Sequence, residues 1–427
     1  MKKRLAALWA DDFVRHTGIM VVGLQLVNVL NLAFHLIMVR VLSYAEYGML
    51  NALVILSFYF CQFTPPFQPA LTRFIARFLA RGETGKARWT YHRGLLDLGL
   101  LSLLLVALAA VFAGPLAAWQ QIPGPGWMVA AGVLIAVNIM LSAPLSYLQG
   151  AQLFTPFAVI NALSALVKLL VGAGLLLAGL RVGAGMAGFI ATPLFIIITG
   201  GIFLHLRFRQ AGEVAAEKTS MAPIYRYYLP TGLVLVSFTV LTNMDVTLVK
   251  RFFSPLEAGY YSVAQMVGKI ILFLPWAVSM VVFPKATDAE ARARNSFPLL
   301  LKGLLLTAVL GGGGFLICLA SPSLVLSLLT GKTDPEAVSL VIPFASAMTI
   351  YALLWLVVFY NLSIHNLRFP PLLPAGAAAQ SAAICLHHPS LNAILHIMNV
   401  TGAILLAATL LLSRNRKTMA EFDREVI

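Results

Sequence analysis

The sequence predicts an all-α polytopic membrane protein, with about 12 transmembrane helices in two pseudo-symmetric six-helix lobes around a central cavity. Three observations predict it. The 427 residues are 60% hydrophobic and only 11% charged, with a mean hydropathy of +0.88, which excludes water as the main solvent. Apolar runs of helical length recur along the whole chain, where a membrane barrel would show short alternating strands. A short segment near residue 40 also returns near the midpoint of the chain.

Read against Pro, Gly and charge punctuation, the runs place spans near 19–39, 48–72, 94–113, 127–148, 155–180 and 184–206. After a middle loop, six more fall near 228–249, 257–284, 298–329, 336–362, 370–386 and 391–413. The domains are therefore an N-terminal lobe (1–206), a cytoplasmic inter-lobe loop (207–226) and a C-terminal lobe (227–427). The first run, Ile19 to Val39, follows a basic start but is too long for a signal-peptide core and lacks a small-residue cleavage site, so it reads as a retained span. Within 298–329, Gly311 to Gly314 and Ser321-Pro322 are both expected to break or kink the helix. Cys61, Cys318 and Cys385 lie far apart in apolar stretches, with no metal spacing and no disulfide framework.

The net charge of +14 is a topology signal rather than an attraction to nucleic acid. Counted on alternate connectors, 23 of the 30 Lys and Arg fall on one side and five on the other, so the positive-inside rule puts both termini in the cytoplasm. The remaining two, Lys168 and Lys269, fall inside spans.

The internal echo pairs Arg40, Ser43, Glu46 and Gly48 with Arg251, Ser254, Glu257 and Gly259, all at one offset of 211 residues. At the same offset Asn28 and Asn31 correspond to Thr239 and Thr242. Six spans per copy is an even number, so the copies share an orientation and are related by an axis along the membrane normal.

Polar groups at bilayer depth are costly and usually face a cavity or a partner, which makes them the pointers to function. Asn161, Ser164 and Lys168 share one helical face, Ser262, Gln265 and Lys269 repeat that spacing, and Gln25, Asn28, Asn31 and His35 form a stripe on span one. One reading is a lumen with cationic groups near its centre that attract an anionic ligand such as a phosphate. The other is structural: interhelical hydrogen bonds, with Lys269 neutralising Asp245 on the adjacent helix. For Asp245 a proton- or cation-coupling role stands beside the ion pair; His35 reads as a hydrogen-bonding residue before a proton carrier. At the cytoplasmic end of span two, Arg73 is the basic residue that a preceding Pro65-Pro66 bend would turn toward the cavity mouth. No ATP-binding Gly-rich loop, paired carboxylates, Cys/His metal cluster or Ser/His/Asp arrangement is found, so neither a cofactor nor catalysis is expected.

The segment R-V-L-S-Y-A-E-Y-G from Arg40 to Gly48, and the stretch from Asn243-Met-Asp245 through F-F-S-P-L-E-A-G-Y-Y-S-V-A to Ala264, resemble the polysaccharide-biosynthesis flippases. These are Wzx-type members of the multidrug/oligosaccharidyl-lipid/polysaccharide exporter superfamily. The resemblance implies movement of undecaprenyl-diphosphate-linked oligosaccharide across the bacterial inner membrane by alternating access, for O-antigen (lipopolysaccharide), capsule or exopolysaccharide assembly. It implies a cationic cavity for the diphosphate and sugar, matched by Lys168 and Lys269. The polar positions read from the residues themselves then put Arg73, Asn28, Asn31, Asn161 and Gln265 on the substrate, with Asp245 and His35 as coupling or lumen groups. The implied partners are the lipid-linked substrate, membrane lipids, a polysaccharide polymerase and its chain-length machinery. Near-absence of acids from the first lobe's spans departs from a proton-coupled pattern. A drug or cation antiporter of the same superfamily is the alternative, and would need acidic lumen residues.

Overall fold

The protein, a computed structural model, is described over residues 12–61, 67–210, 217–291, 294–364 and 369–414. Lys2, Lys3, Arg4, Pro65-Pro66, Arg292, Arg368, Arg416, Lys417 and Arg424 lie outside those residues, so the bend expected before Arg73 does too. Among the described residues the elements are helices, α1(Asp12–Val41), α2(Tyr44–Cys61), α3(Phe67–Ala80), α4(Thr84–Val111), α5(Ala113–Trp119), α6(Gly126–Met140), α7(Ser142–Gly150), α8(Phe154–Leu177) and α9(Arg181–Gln210). They continue as α10(Ala222–Phe252), α11(Pro255–Phe273), α12(Trp276–Ala291), α13(Phe297–Ala320), α14(Pro322–Thr330), α15(Pro335–Ser363), α16(Leu372–Leu386) and α17(Leu391–Arg414). Among the described residues ten stretches are long and apolar enough to cross a membrane, and Gln25–Val41 and Leu372–Leu386 are shorter apolar helices. Leucines stand exposed along α4 and α13, among them Leu100, Leu103, Leu305 and Leu316. That is a surface for lipid rather than water.

Several boundaries move for identifiable reasons. Of the run read as one span over 48–72, the described residues fall in α2 and α3. α4 begins ten residues before the apolar run at 94, because a helix needs apolar residues only where lipid surrounds it and its first turns carry Lys86, Arg88 and Arg93 instead. The glycine run Gly311–Gly314 does not break α13, since without water the backbone has no better partner than its own carbonyls. The break falls at Ser321, with φ −152° and ψ 69°, where the ring of Pro322 disfavours the helical conformation for the residue before it. A milder interruption at Leu274-Pro275, with Leu274 itself still helical at φ −54° and ψ −46°, separates α11 from α12.

The chain forms two compact units, one of residues 1–42 and 49–232, the other of residues 43–48 and 233–427. In the first, α8 packs against α1 and α9, α4 against α6, and α3 against α7; a core of Leu71, Ile75, Tyr91, Tyr147 and Leu148 fills the join of α3, α4 and α7. In the second, α15 is the hub, packed by α11, α17, α13 and α12. The sequence echo has a physical meaning here. Ser43 and Glu46 bond reciprocally, Ser43 N–H to the Glu46 carboxylate at 2.8 Å and Glu46 N–H to Ser43 Oγ at 3.3 Å, and Ser254 with Glu257 repeats the pattern at 3.0 and 3.3 Å. Both are capping boxes that start a helix.

Candidate functional site

In the first unit the stripes on α1 and α8 meet at one point, where Lys168 Nζ donates to Asn31 Oδ1 at 3.1 Å. Two rings complete the surroundings. The ammonium lies 4.4 Å from the ring centre of Phe34 on α1 and 4.0 Å from that of Phe189 on α9, and these rings meet edge to face at 5.3 Å. A cation over a ring is attracted by the negative face, most strongly where water is excluded, and Lys168 is only 5% exposed. Glycines make the room: a Cβ on Gly172 would lie 2.4 Å from Phe34, and one on Gly188 2.7 Å from it. His35 sits edge-on to Phe34 and Phe189 as part of the same aromatic cluster.

In the second unit Lys269 Nζ donates to the Thr242 carbonyl at 2.8 Å and to Asn243 Oδ1 at 2.9 Å. It is not in salt-bridge contact with Asp245. The fully buried Asp245 instead accepts from Tyr261 Oη at 2.8 Å through one oxygen, while its other oxygen has no hydrogen-bond partner. Next to it Gln380 donates to the Leu241 carbonyl at 2.8 Å and accepts from Tyr351. This network ties α10 to α11, α15 and α16.

A hydrogen bond to a charged group is worth about 1.5–3 kcal/mol, so Asp245→Leu, which leaves the Tyr261 hydroxyl only the weak acceptor Met398 Sδ at 3.5 Å, is expected to destabilise the protein by about 2 kcal/mol. Asp245→Asn keeps an acceptor of the same shape and should unfold near the wild-type midpoint. Thermal unfolding in detergent reads both, and equal losses in the two variants would show that the acceptor is not what Tyr261 needs.

The other residues singled out by sequence are placed more simply. Asn161 donates to the Phe157 carbonyl of its own helix at 2.8 Å. Asn28 is exposed on α1, one turn before Asn31. Gln265 is buried in α11, and Arg73 is exposed on α3. Phe34, Phe189, Asn243 and Tyr261 were not picked out as site residues. Phe34 and Phe189 read as ordinary apolar positions, and only contact between helices reveals that their faces meet a charge. Asn243 and Tyr261 lay in the stretch quoted for the family resemblance, but as motif letters rather than as partners of Lys269 and Asp245.

One relation links the two units. Asn31, which holds Lys168, and Thr242, whose carbonyl holds Lys269, are 211 residues apart, the offset of the repeat. Each unit's first full helix thus fixes an ammonium at the equivalent position, the lysine coming from α8 in one and α11 in the other. Among the described residues neither lysine has an acidic side chain in salt-bridge contact. An ammonium has three donors; Lys168 uses one on Asn31 and Lys269 two on Thr242 and Asn243, so each retains capacity for an anionic oxygen. No group of three His, Cys, Asp or Glu among the described residues is placed to hold a metal ion.

Comparison with known proteins places these features. The family model described as polysaccharide biosynthesis protein matches residues 13–289. A multidrug resistance MATE family transporter of the MOP superfamily, in an inward-facing conformation, superposes with a TM-score of 0.70 at 12% identity, over 92% of this chain and 97% of that one. The lipid II flippase MurJ, in an inward closed conformation, gives 0.70 at 12% identity over 93% of this chain and 87% of that one. The eukaryotic MATE transporter AtDTX14 gives 0.60 at 14% identity, over 94% and 97%. At these identities the likeness is one of fold. No curated protein matches the sequence.

Proposed function

The chain belongs to the polysaccharide biosynthesis protein family, and from that premise we propose that it flips an undecaprenyl-diphosphate-linked oligosaccharide from the cytoplasmic to the outer leaflet of a bacterial inner membrane. It is a multi-span membrane protein and a transporter rather than an enzyme. The observation that carries the reading is the pair of intramembrane ammonium groups, each held by neutral oxygens at the repeat-equivalent position of its unit. Membrane-embedded cations are costly and mark the paths of ligands and ions. A diphosphate suits them, since it accepts charge-assisted hydrogen bonds and does not need a deprotonated partner.

In this reading Lys168 and Lys269 hold the diphosphate, Arg73 receives the headgroup at the cytoplasmic side, and Asn28, Asn31, Asn161 and Gln265 meet sugar hydroxyls. Asp245 and His35 are the candidate coupling groups. Alternating exposure of the two lysines to the two faces of the membrane moves the headgroup while the lipid tail stays in the bilayer. Both termini are cytoplasmic, and the glycan feeds O-antigen, capsule or exopolysaccharide assembly through a polymerase and chain-length machinery.

The test is a flipping assay. Vesicles holding the purified chain and a lipid-linked oligosaccharide should expose the glycan to an external lectin or glycosidase faster than protein-free vesicles do. An antiporter would leave the glycan where it was and instead move a cationic dye against a proton or sodium gradient, which would replace the flippase reading with the antiporter one.

A further inference from the structure

The second unit contains an aromatic set that the cationic groups do not use. Trp276, the first residue of α12 after the Pro275 interruption, stacks on Trp355 of α15 at 5.0 Å with planes 24° apart. The rings of Phe238 on α10 and Phe359 on α15 each lie 4.4 Å from the ring centre of Trp355. Phe283 and Phe273 extend the set to the surface, at 6.0 Å from Phe359 and 5.9 Å from Trp276. The rings run from a buried end, Phe238 and Trp355, to an open one, with Phe273 55% and Phe283 38% exposed.

Two further observations say what such a set is for. Trp355 is 8% exposed and its Nε1–H has no acceptor, although buried donors in proteins are nearly always paired. Phe238 is also one turn from Thr242 on α10, whose carbonyl holds Lys269; four residues of helix span about 6 Å. The carbonyl that holds Lys269 and the Phe238 end of the aromatic set are therefore about one helical turn apart along α10.

We propose that this set is the subsite for the sugar adjoining the diphosphate. It rests on the flippase reading and specifies how that substrate is held. One face of a pyranose carries polarised C–H groups, which suit the negative faces of stacked rings. Its rim carries hydroxyl and ring oxygens, and one of these accepts from Trp355 as the sugar enters beside Trp276. An isoprenoid tail would fill the same space but has no acceptor for that N–H. Stacking reads the C–H face shared by many hexoses, so the subsite tolerates a range of sugars.

The experiment uses the full chain in lipid nanodiscs, titrated with farnesyl diphosphate and with farnesyl diphosphate carrying glucose, galactose or N-acetylglucosamine. Calorimetry and tryptophan fluorescence follow the binding. At least one sugar-bearing probe is expected to bind about tenfold tighter than the sugar-free one. Trp276→Leu and Trp355→Phe, the latter keeping a ring but no N–H, should each erase most of that gain and leave farnesyl diphosphate affinity unchanged. Trp276→Phe, which keeps a stacking face, should retain most of it and controls for folding. A gain that survives in both Trp276→Leu and Trp355→Phe overturns the proposal, as does a wild-type chain with no gain for any hexose. Equal weakening of sugar-free and sugar-bearing probes would assign the rings to the isoprenoid instead. A wild-type chain that binds none of the four probes removes the flippase reading itself, and the subsite with it.

Discussion

Replacing Lys168 and Lys269 together by Gln is expected to abolish surface display of the glycan while the protein stays in the membrane at near wild-type abundance. Each Gln can still donate from its amide toward the oxygens that now hold the ammonium groups, Asn31 Oδ1 for one and the Thr242 carbonyl with Asn243 Oδ1 for the other. The packing contacts thus largely persist and only the charge is lost. A charge-assisted hydrogen bond contributes about 1.5–3 kcal/mol, so losing two weakens diphosphate binding by about a hundredfold or more. The single variants should fall between. Lectin or antibody staining of whole cells reads display, and immunoblotting of the membrane fraction reads abundance. Normal display in the double variant would sink the diphosphate assignment. Loss of the protein from the membrane in Lys168→Gln alone would instead make the Phe34 and Phe189 contacts a folding requirement.

The class of the protein was legible because lipid imposes a simple rule, that long apolar runs must be helices, and composition alone reveals such runs. Of the two breaks expected within 298–329, the structure keeps the one at Ser321-Pro322 and not the one at the glycine run. Gly311–Gly314 looked like a break and is continuous helix, whereas Ser321-Pro322 and Leu274-Pro275 interrupt theirs. Glycine removes a side chain but keeps its N–H; proline removes the N–H that holds a turn together. The two lysines were legible as exceptions to hydrophobicity. Their partners were not, because a phenylalanine that faces a cation has the same letter as one that faces lipid. For the same reason direct contact between Asp245 and Lys269, one of the two readings that charge allows, is not made: Asp245 bonds Tyr261, and Lys269 bonds Thr242 and Asn243. Opposite charge says which groups would attract, while helix rotation decides which groups meet.

Substituting Gly259 by Ala is expected to lower the thermal midpoint of the protein and to raise amide exchange in residues 43–48, although the change adds one methyl group. A Cβ at Gly259 would lie 2.3 Å from the carbonyl carbon and oxygen of Tyr44. These are backbone atoms and cannot rotate aside, so the Ser43–Gly48 segment must move away from α11 or the helix must shift. Overpacking of this kind costs about 1–3 kcal/mol. The reciprocal position behaves alike, since a Cβ at Gly48 would meet the Gly259 nitrogen at 2.9 Å. The two glycines are therefore one close approach, and the double Ala variant should lose less than the sum of the singles. Gly312→Ala is the contrast. Nothing lies within 4 Å of its Cβ and it sits within continuous helix, so Ala there should stabilise by about 0.5–1 kcal/mol. Equal responses at Gly259 and Gly312 would mean that helix propensity, not contact, sets the effect, and the repeated Ser-x-x-Glu-x-Gly motif would then be a capping device only. A loss confined to Gly48 and Gly259, with exchange rising in residues 43–48, gives the motif a second role: its Ser and Glu start the helix, and its Gly lets another backbone lie against it.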